Sequence, residues 1–88
     1  MKHKYNIFDA VHIIAELPET MSHFDCDFDA IICERCGNNY AVYQIKDGSI
    51  TGQIAWYRAD HMICLPKNKY DSQKIMQLIQ EYELSMCN

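Results

Sequence analysis

Two pairs of potential metal ligands in this chain share the same internal spacing. Cys33 and Cys36 are separated by two residues and followed by Gly37, and His61 and Cys64 form a second pair further along. Two thiolates at this spacing can turn back onto one ion, and a glycine after the second cysteine suits a tight turn. Zn²⁺ prefers four tetrahedral nitrogen or sulfur ligands. The two pairs therefore predict one zinc site with a structural role.

The segment between the two pairs has the pattern of a β-hairpin. Two sets of residues alternate along the chain, Ala41, Tyr43 and Ile45 with Val42, Gln44 and Lys46, and a similar alternation runs from Ile50 to Tyr57. Asp47-Gly48 between the two stretches predicts a tight turn. Gly52 inside the second strand indicates a bulge or a close backbone approach. Because a hairpin returns the chain to its starting point, it would bring the two ligand pairs together.

In this arrangement the segment from Cys33 to Cys64 resembles the zinc-ribbon group, whose members hold a metal between two ligand pairs of this kind. The resemblance rests on ligand spacing and implies a structural zinc ion. His61 stands where the usual pattern has a cysteine, and no glycine follows Cys64.

A second ligand set competes with this one. His23 and Cys26 also have two residues between them, so the metal could be held by His23, Cys26, Cys33 and Cys36. We favour His61 and Cys64, because the hairpin explains their return to the first pair.

A weaker resemblance concerns catalysis. Ala59-Asp60-His61 followed by Leu65-Pro66 is similar to the HNH group of metal-dependent nucleases, in which an Asp-His pair lies near the catalytic metal. The predicted C-terminal helix carries no histidine that could complete such a site. We therefore expect the protein not to be an enzyme.

The elements around the hairpin follow from apolar spacing. Helical spacing predicts an N-terminal helix from about Ile7 to Glu16, which Pro18 ends. A loop to Asp27 and a short strand from Phe28 to Cys33 follow. A second apolar stripe predicts a C-terminal helix over about 72–86, capped by Asp71 or Ser72.

These elements predict one domain over residues 1–88, with a zinc-ribbon-like core over about 28–66. Its fold class would be α+β: a small zinc-stabilised domain with a β-hairpin or three-stranded antiparallel sheet, flanked by an N-terminal and a C-terminal helix. A chain of 88 residues has room for one core only.

The net charge of the chain indicates which class of partner it binds. The net charge of −4 lacks the basic footprint of a general nucleic-acid binder. We expect a cytoplasmic protein that binds another protein as adaptor, regulator or inhibitor, and its size and acidity would suit a phage-encoded inhibitor. The first surfaces to test are the acidic segment Asp25 to Asp29 and the hairpin edge near Tyr40 and Val42.

A nucleic-acid-binding ribbon is the alternative, since bases can stack on aromatic rings while cations meet phosphates. The residues that would do this are Tyr40, Tyr43, Trp56, Tyr57 and Tyr70, with Lys46, Arg58, Lys67 and Lys69.

Overall fold

The computed structural model describes residues 4–14 and 26–87. In these segments five antiparallel strands form one sheet in the order β4-β3-β2-β1-β5, followed by one helix. The elements are β1 (Ala10–Ile13), β2 (Phe28–Cys36), β3 (Asn39–Lys46), β4 (Ser49–Arg58), a 3₁₀ turn (Ala59–His61), β5 (Met62–Cys64) and α1 (Ser72–Met86).

The predicted N-terminal helix is wrong over the described residues. Residues 10–13 form β1, which pairs with β2 on one side and with β5 on the other. Val11 and Ile13 face one apolar layer and Ala10 faces another, so this strand is buried on both sides. A strand with apolar residues on both faces lacks simple alternation and is easily confused with a helical stripe. Residues 7–9 and 14 are not helical either, and residues 15 and 16 of the predicted helix lie outside the described residues.

The predicted fold class is wrong as a consequence. The sheet has five strands instead of two or three, and α1 is the one helix beside it in the described segments. Those segments also hold no group of three or more metal-binding side chains that would make this a zinc-stabilised domain.

The sheet curls on itself. β4 and β5 lie at opposite edges, yet the three residues of the 3₁₀ turn connect them. Four strand spacings in a flat sheet measure about 19 Å, whereas even an extended connection of this length spans only about 14 Å. Curling brings the edges together and makes one face an interior. The side chains buried there are Tyr5, Val11, Ile13, Ala30, Ile32, Tyr40, Val42, Tyr57 and Met62.

Helix α1 covers the outer face of the sheet. Its buried residues Ile75, Leu78 and Ile79 pack in one cluster with Ala10, Ile31, Ile45 and Ile50 of the strands. The Asp71 carboxylate accepts the backbone N–H of Lys74 at 2.8 Å and caps the helix. The helix and its cap confirm the prediction from the apolar stripe.

The hairpin prediction is also confirmed. β3 and β4 pair through the turn at Asp47-Gly48, and both turn residues have positive φ. The register shifts where Gln44 pairs with Gly52, so a bulge lies beside this glycine as expected. A Cβ built on Gly52 meets nothing within 4 Å, which rules out the close approach.

Candidate functional site

The four predicted zinc ligands lie in three elements of the fold. Cys33 is at a bulge in β2 and Cys36 at the exposed end of that strand, while His61 is in the 3₁₀ turn and Cys64 in the edge strand β5. Across residues 4–14 and 26–87, no three His, Cys, Asp or Glu side chains are grouped so that they could hold a metal. His23 of the competing set lies outside this part of the chain, so zinc binding stays a prediction.

His61 has a structural partner. Its side chain is 4% exposed, and its Nδ1 accepts the backbone N–H of Arg58 at 3.0 Å. This bond uses the Nδ1 lone pair and places the ring proton on Nε2, which lies 3.9 Å from the exposed carboxylate of Asp60. The contact closes the 3₁₀ turn and gives His61 a role that needs neither a metal nor a water.

Cys33 is a neutral thiol in this structure. Burial, with the nearby Glu34 carboxylate adding to it, raises the pKa of Cys33 to about 11. The thiolate is the reactive and metal-binding form of cysteine. At neutral pH Cys33 is therefore inert unless something displaces its proton.

The aromatic residues do not form a base-stacking platform. Tyr40 and Tyr57 are buried inside the curled sheet, and Tyr43 packs on Tyr82 of α1 with ring centroids 5.4 Å apart. Tyr70 is half-buried, and Trp56 is the exposed ring of the proposed set, at 41%. Most of the rings named for nucleic acid are thus part of the core.

A cleft of about 280 Å³ opens where the start of β1, the end of β5 and the start of α1 meet. Apolar side chains line it, namely Phe8, Ala10, Leu65 and Ile75. Polar residues are also part of its lining, among them Asp9, Lys67, Asp71 and Ser72. Sequence reasoning missed this cleft because its walls come from three separate segments.

Phe8 is the unusual residue of the cleft. Its φ is +74°, a left-handed conformation that bulky residues rarely adopt, and its side chain is 44% exposed. Its backbone N–H donates to the carbonyl of Ile32 at 2.7 Å, and the carbonyl of Asp9 accepts from Ile32 at 3.0 Å. These bonds hold the strained backbone in place and present the ring at the surface.

A second group of polar residues surrounds Asp29, and it draws side chains from β1, β2 and the chain just before α1. One carboxylate oxygen lies 2.8 Å from His12 Nδ1, and the other receives Lys69 Nζ at 2.9 Å and the Tyr70 hydroxyl at 3.1 Å. His12 Nε2 lies 3.1 Å from the carboxylate of Asp27. The sequence shows no sign of this network, since Tyr70 is 41 residues from Asp29.

The network changes the charge behaviour of Asp29. Burial on its own would raise the pKa of Asp29, but hydrogen bonds from His12, Lys69 and Tyr70 outweigh burial and hold the pKa below its ordinary value. Burial, followed by the Asp29 charge, raises the pKa of Tyr70. Asp29 is therefore an anion that joins β1, β2 and the chain leading into α1.

The helix of the described segments is neither long nor apolar enough to cross a membrane. No family model matches the chain, and no curated protein or solved structure matches it either.

Proposed function

We propose that this protein acts by binding another protein, as an adaptor, regulator or inhibitor, and that the cleft beside Phe8 receives an apolar side chain of that partner. The observation that carries the proposal is the combination of strain and exposure at Phe8.

The backbone conformation at position 8 does not require a phenylalanine. Glycine or asparagine would adopt a φ of +74° more readily, and a strained non-glycine conformation of this kind costs about 1–3 kcal/mol. Burial of the ring would offset that strain, but 44% of Phe8 is exposed. An exposed aromatic ring held in a strained conformation beside a cleft is typical of a binding contact.

The size of the cleft favours a side chain over a small molecule. Small-molecule pockets enclose about 300–1,000 Å³, and this cleft measures about 280 Å³. Protein interfaces commonly depend on one large apolar or aromatic residue seated in such a depression.

The charge around the cleft indicates what should flank the partner's apolar residue. Asp9 and Asp71 outnumber Lys67 in its lining, and the whole chain carries −4. Complementary charge speeds association and excludes wrong partners. Basic residues beside the apolar one would fit this surface best.

Strand addition is a poorer explanation of partner binding. β5 is a three-residue edge strand, and β4, the other edge, pairs with β3 through two register shifts. Short and bulged edges discourage a further strand from pairing. The hairpin edge suggested from the sequence is not an edge at all, because Tyr40 and Val42 lie in the interior strand β3 and are buried.

A photo-crosslinking phenylalanine analogue at position 8 tests the proposal, with the same analogue at exposed position 56 as the matched control. A crosslinked protein would be identified, purified and titrated by calorimetry against wild type, Phe8→Asn and Trp56→Asn. We expect Phe8→Asn to weaken binding at least about tenfold, or about 1.4 kcal/mol, and Trp56→Asn to leave it unchanged.

Equal binding of wild type and Phe8→Asn would overturn the proposal. A second result would also overturn it: wild type binds heterogeneous DNA or RNA with an affinity that falls steeply with added salt, and Phe8→Asn binds equally well. That result would favour the nucleic-acid alternative.

A further inference from the structure

His12 lies between two carboxylates that come from one stretch of chain. Its Nδ1 is 2.8 Å from Asp29 and its Nε2 is 3.1 Å from Asp27. Asp29 pairs with His12 across β1 and β2, and Asp27 lies at the entry to β2. The side chains of His12 and Asp29 are 27% and 15% exposed, whereas Asp27 is 65% exposed.

Both contacts are hydrogen bonds only when the imidazole carries two protons. A neutral imidazole donates from one nitrogen and holds a lone pair on the other, while a carboxylate can only accept. After loss of one proton, a lone pair would face a carboxylate oxygen. One of the two contacts must then be given up.

Charged groups on two segments surround the ring. Asp29 of β2 and Asp27 just before that strand face it, and Lys69 and Tyr70 contact Asp29 from the chain before α1. From β5 the cross-strand neighbour of His12 is the uncharged Ile63. Imidazolium and Lys69 balance the two carboxylates, whereas a neutral ring leaves one negative charge uncompensated.

The contact with Asp27 is the one that gives way. Asp29 is the more buried carboxylate and keeps Lys69 and Tyr70 as partners, so the shorter Nδ1 contact is retained. Asp27 is well exposed, and water can replace its imidazole partner.

We propose that His12 is a proton-dependent link between β1 and Asp27 at the entry to β2. The imidazolium holds the Asp27 carboxylate by a hydrogen bond from Nε2, and loss of the Nε2 proton releases it. Asp27 has a φ of +59°, and its backbone N–H donates to the Ile14 carbonyl at 3.2 Å. Its side chain lines a cavity of about 530 Å³ with Lys46 and Asp47. Release would free a carboxylate in the lining of this cavity, and this inference is independent of the proposed function.

Nuclear magnetic resonance of the whole chain tests this proton-dependent link between His12 and Asp27. Two-bond ¹H–¹⁵N spectra of the histidine rings identify which nitrogens carry protons, and histidines as a class change charge between about pH 5 and pH 8. We expect both His12 nitrogens to be protonated at the acid end and Nδ1 alone at the other. His61 is the internal reference for a neutral ring protonated at Nε2, because its Nδ1 accepts the backbone N–H of Arg58.

Amide exchange reports the release itself. Corrected for intrinsic exchange, protection of the Asp27 amide should fall at least about fivefold from about pH 5 to about pH 8 in wild type. In Asp27→Asn the change should vanish, because an amide can accept from the charged ring and donate to the neutral one. Asp47→Asn, at another exposed aspartate of positive φ, should behave as wild type.

A His12 ring that holds a single proton at the acid end would overturn the proposal. Equal pH dependence of protection in wild type and Asp27→Asn would overturn it as well.

Discussion

The rings of Phe28 and Tyr57 meet edge to face, with centroids 6.2 Å apart and an interplanar angle of 71°. Phe28 opens β2 and Tyr57 lies near the end of β4, two strands that do not pair with each other. Their contact therefore crosses the interior of the curled sheet. It closes the fold on the face that α1 does not cover.

Phe28→Ala tests this closure. Removing the ring leaves a void against Tyr57, and we expect the free energy of unfolding to fall by about 2–3 kcal/mol, somewhat less than for a fully buried phenylalanine. Urea denaturation followed by circular dichroism measures it. Trp56→Ala on the exposed side of β4 is the control and should change stability by less than about 0.5 kcal/mol.

Phe8→Asn should not destabilise the protein. Asparagine tolerates positive φ, so the substitution relieves strain while it removes a ring that is 44% exposed. We expect a free energy of unfolding between unchanged and about 1 kcal/mol higher. Thermal unfolding would show this, and a loss above about 2 kcal/mol would mean that Phe8 is needed for the fold.

Asp29 should make the free energy of unfolding fall at acidic pH. Because its folded-state pKa lies below the ordinary value of 3.8, its contribution is fully present above that value and is lost as the pH falls through the folded pKa. Wild type should therefore lose more free energy of unfolding between pH 7 and about pH 3 than Asp29→Asn does. Urea titrations at the two pH values provide the comparison, and equal losses in the two proteins would contradict the role of the network.

Zinc should contribute little to stability. The cores on both faces of the sheet are packed without Cys33, Cys36 and Cys64. We expect the midpoint of thermal unfolding to be the same with and without a chelator.

Elemental mass spectrometry completes the zinc test. One zinc per chain that is lost in Cys33→Ser and Cys64→Ser but kept in Cys26→Ser would support the predicted zinc site and require the ligand segments to rearrange.

Local patterns were reliable where one segment carried the whole signal. The hairpin at Asp47-Gly48 depends on turn residues that adopt positive φ, and α1 depends on its own apolar stripe and the Asp71 cap. These features are properties of neighbouring residues and can be predicted without knowledge of the rest of the chain.

The errors arose where burial came from distant partners. Ala10 packs toward α1 while Val11 and Ile13 pack in the curled interior, so β1 carries apolar residues on both faces, and that pattern suggested a helix. The zinc prediction relied on the hairpin to bring its two ligand pairs together. The chain after β4 turns across the sheet, so that His61 is buried and Cys64 lies beside β1, and zinc binding itself stays a prediction.

By itself the sequence determined the acidic net charge, the central hairpin and the C-terminal helix, because these follow from composition and local periodicity. The tertiary structure alone decided the sheet order, the cleft beside Phe8 and the placing of His12 between Asp27 and Asp29. Each of these joins segments that are separated in the chain, and strand pairing together with the packing of α1 on the sheet brings them into contact.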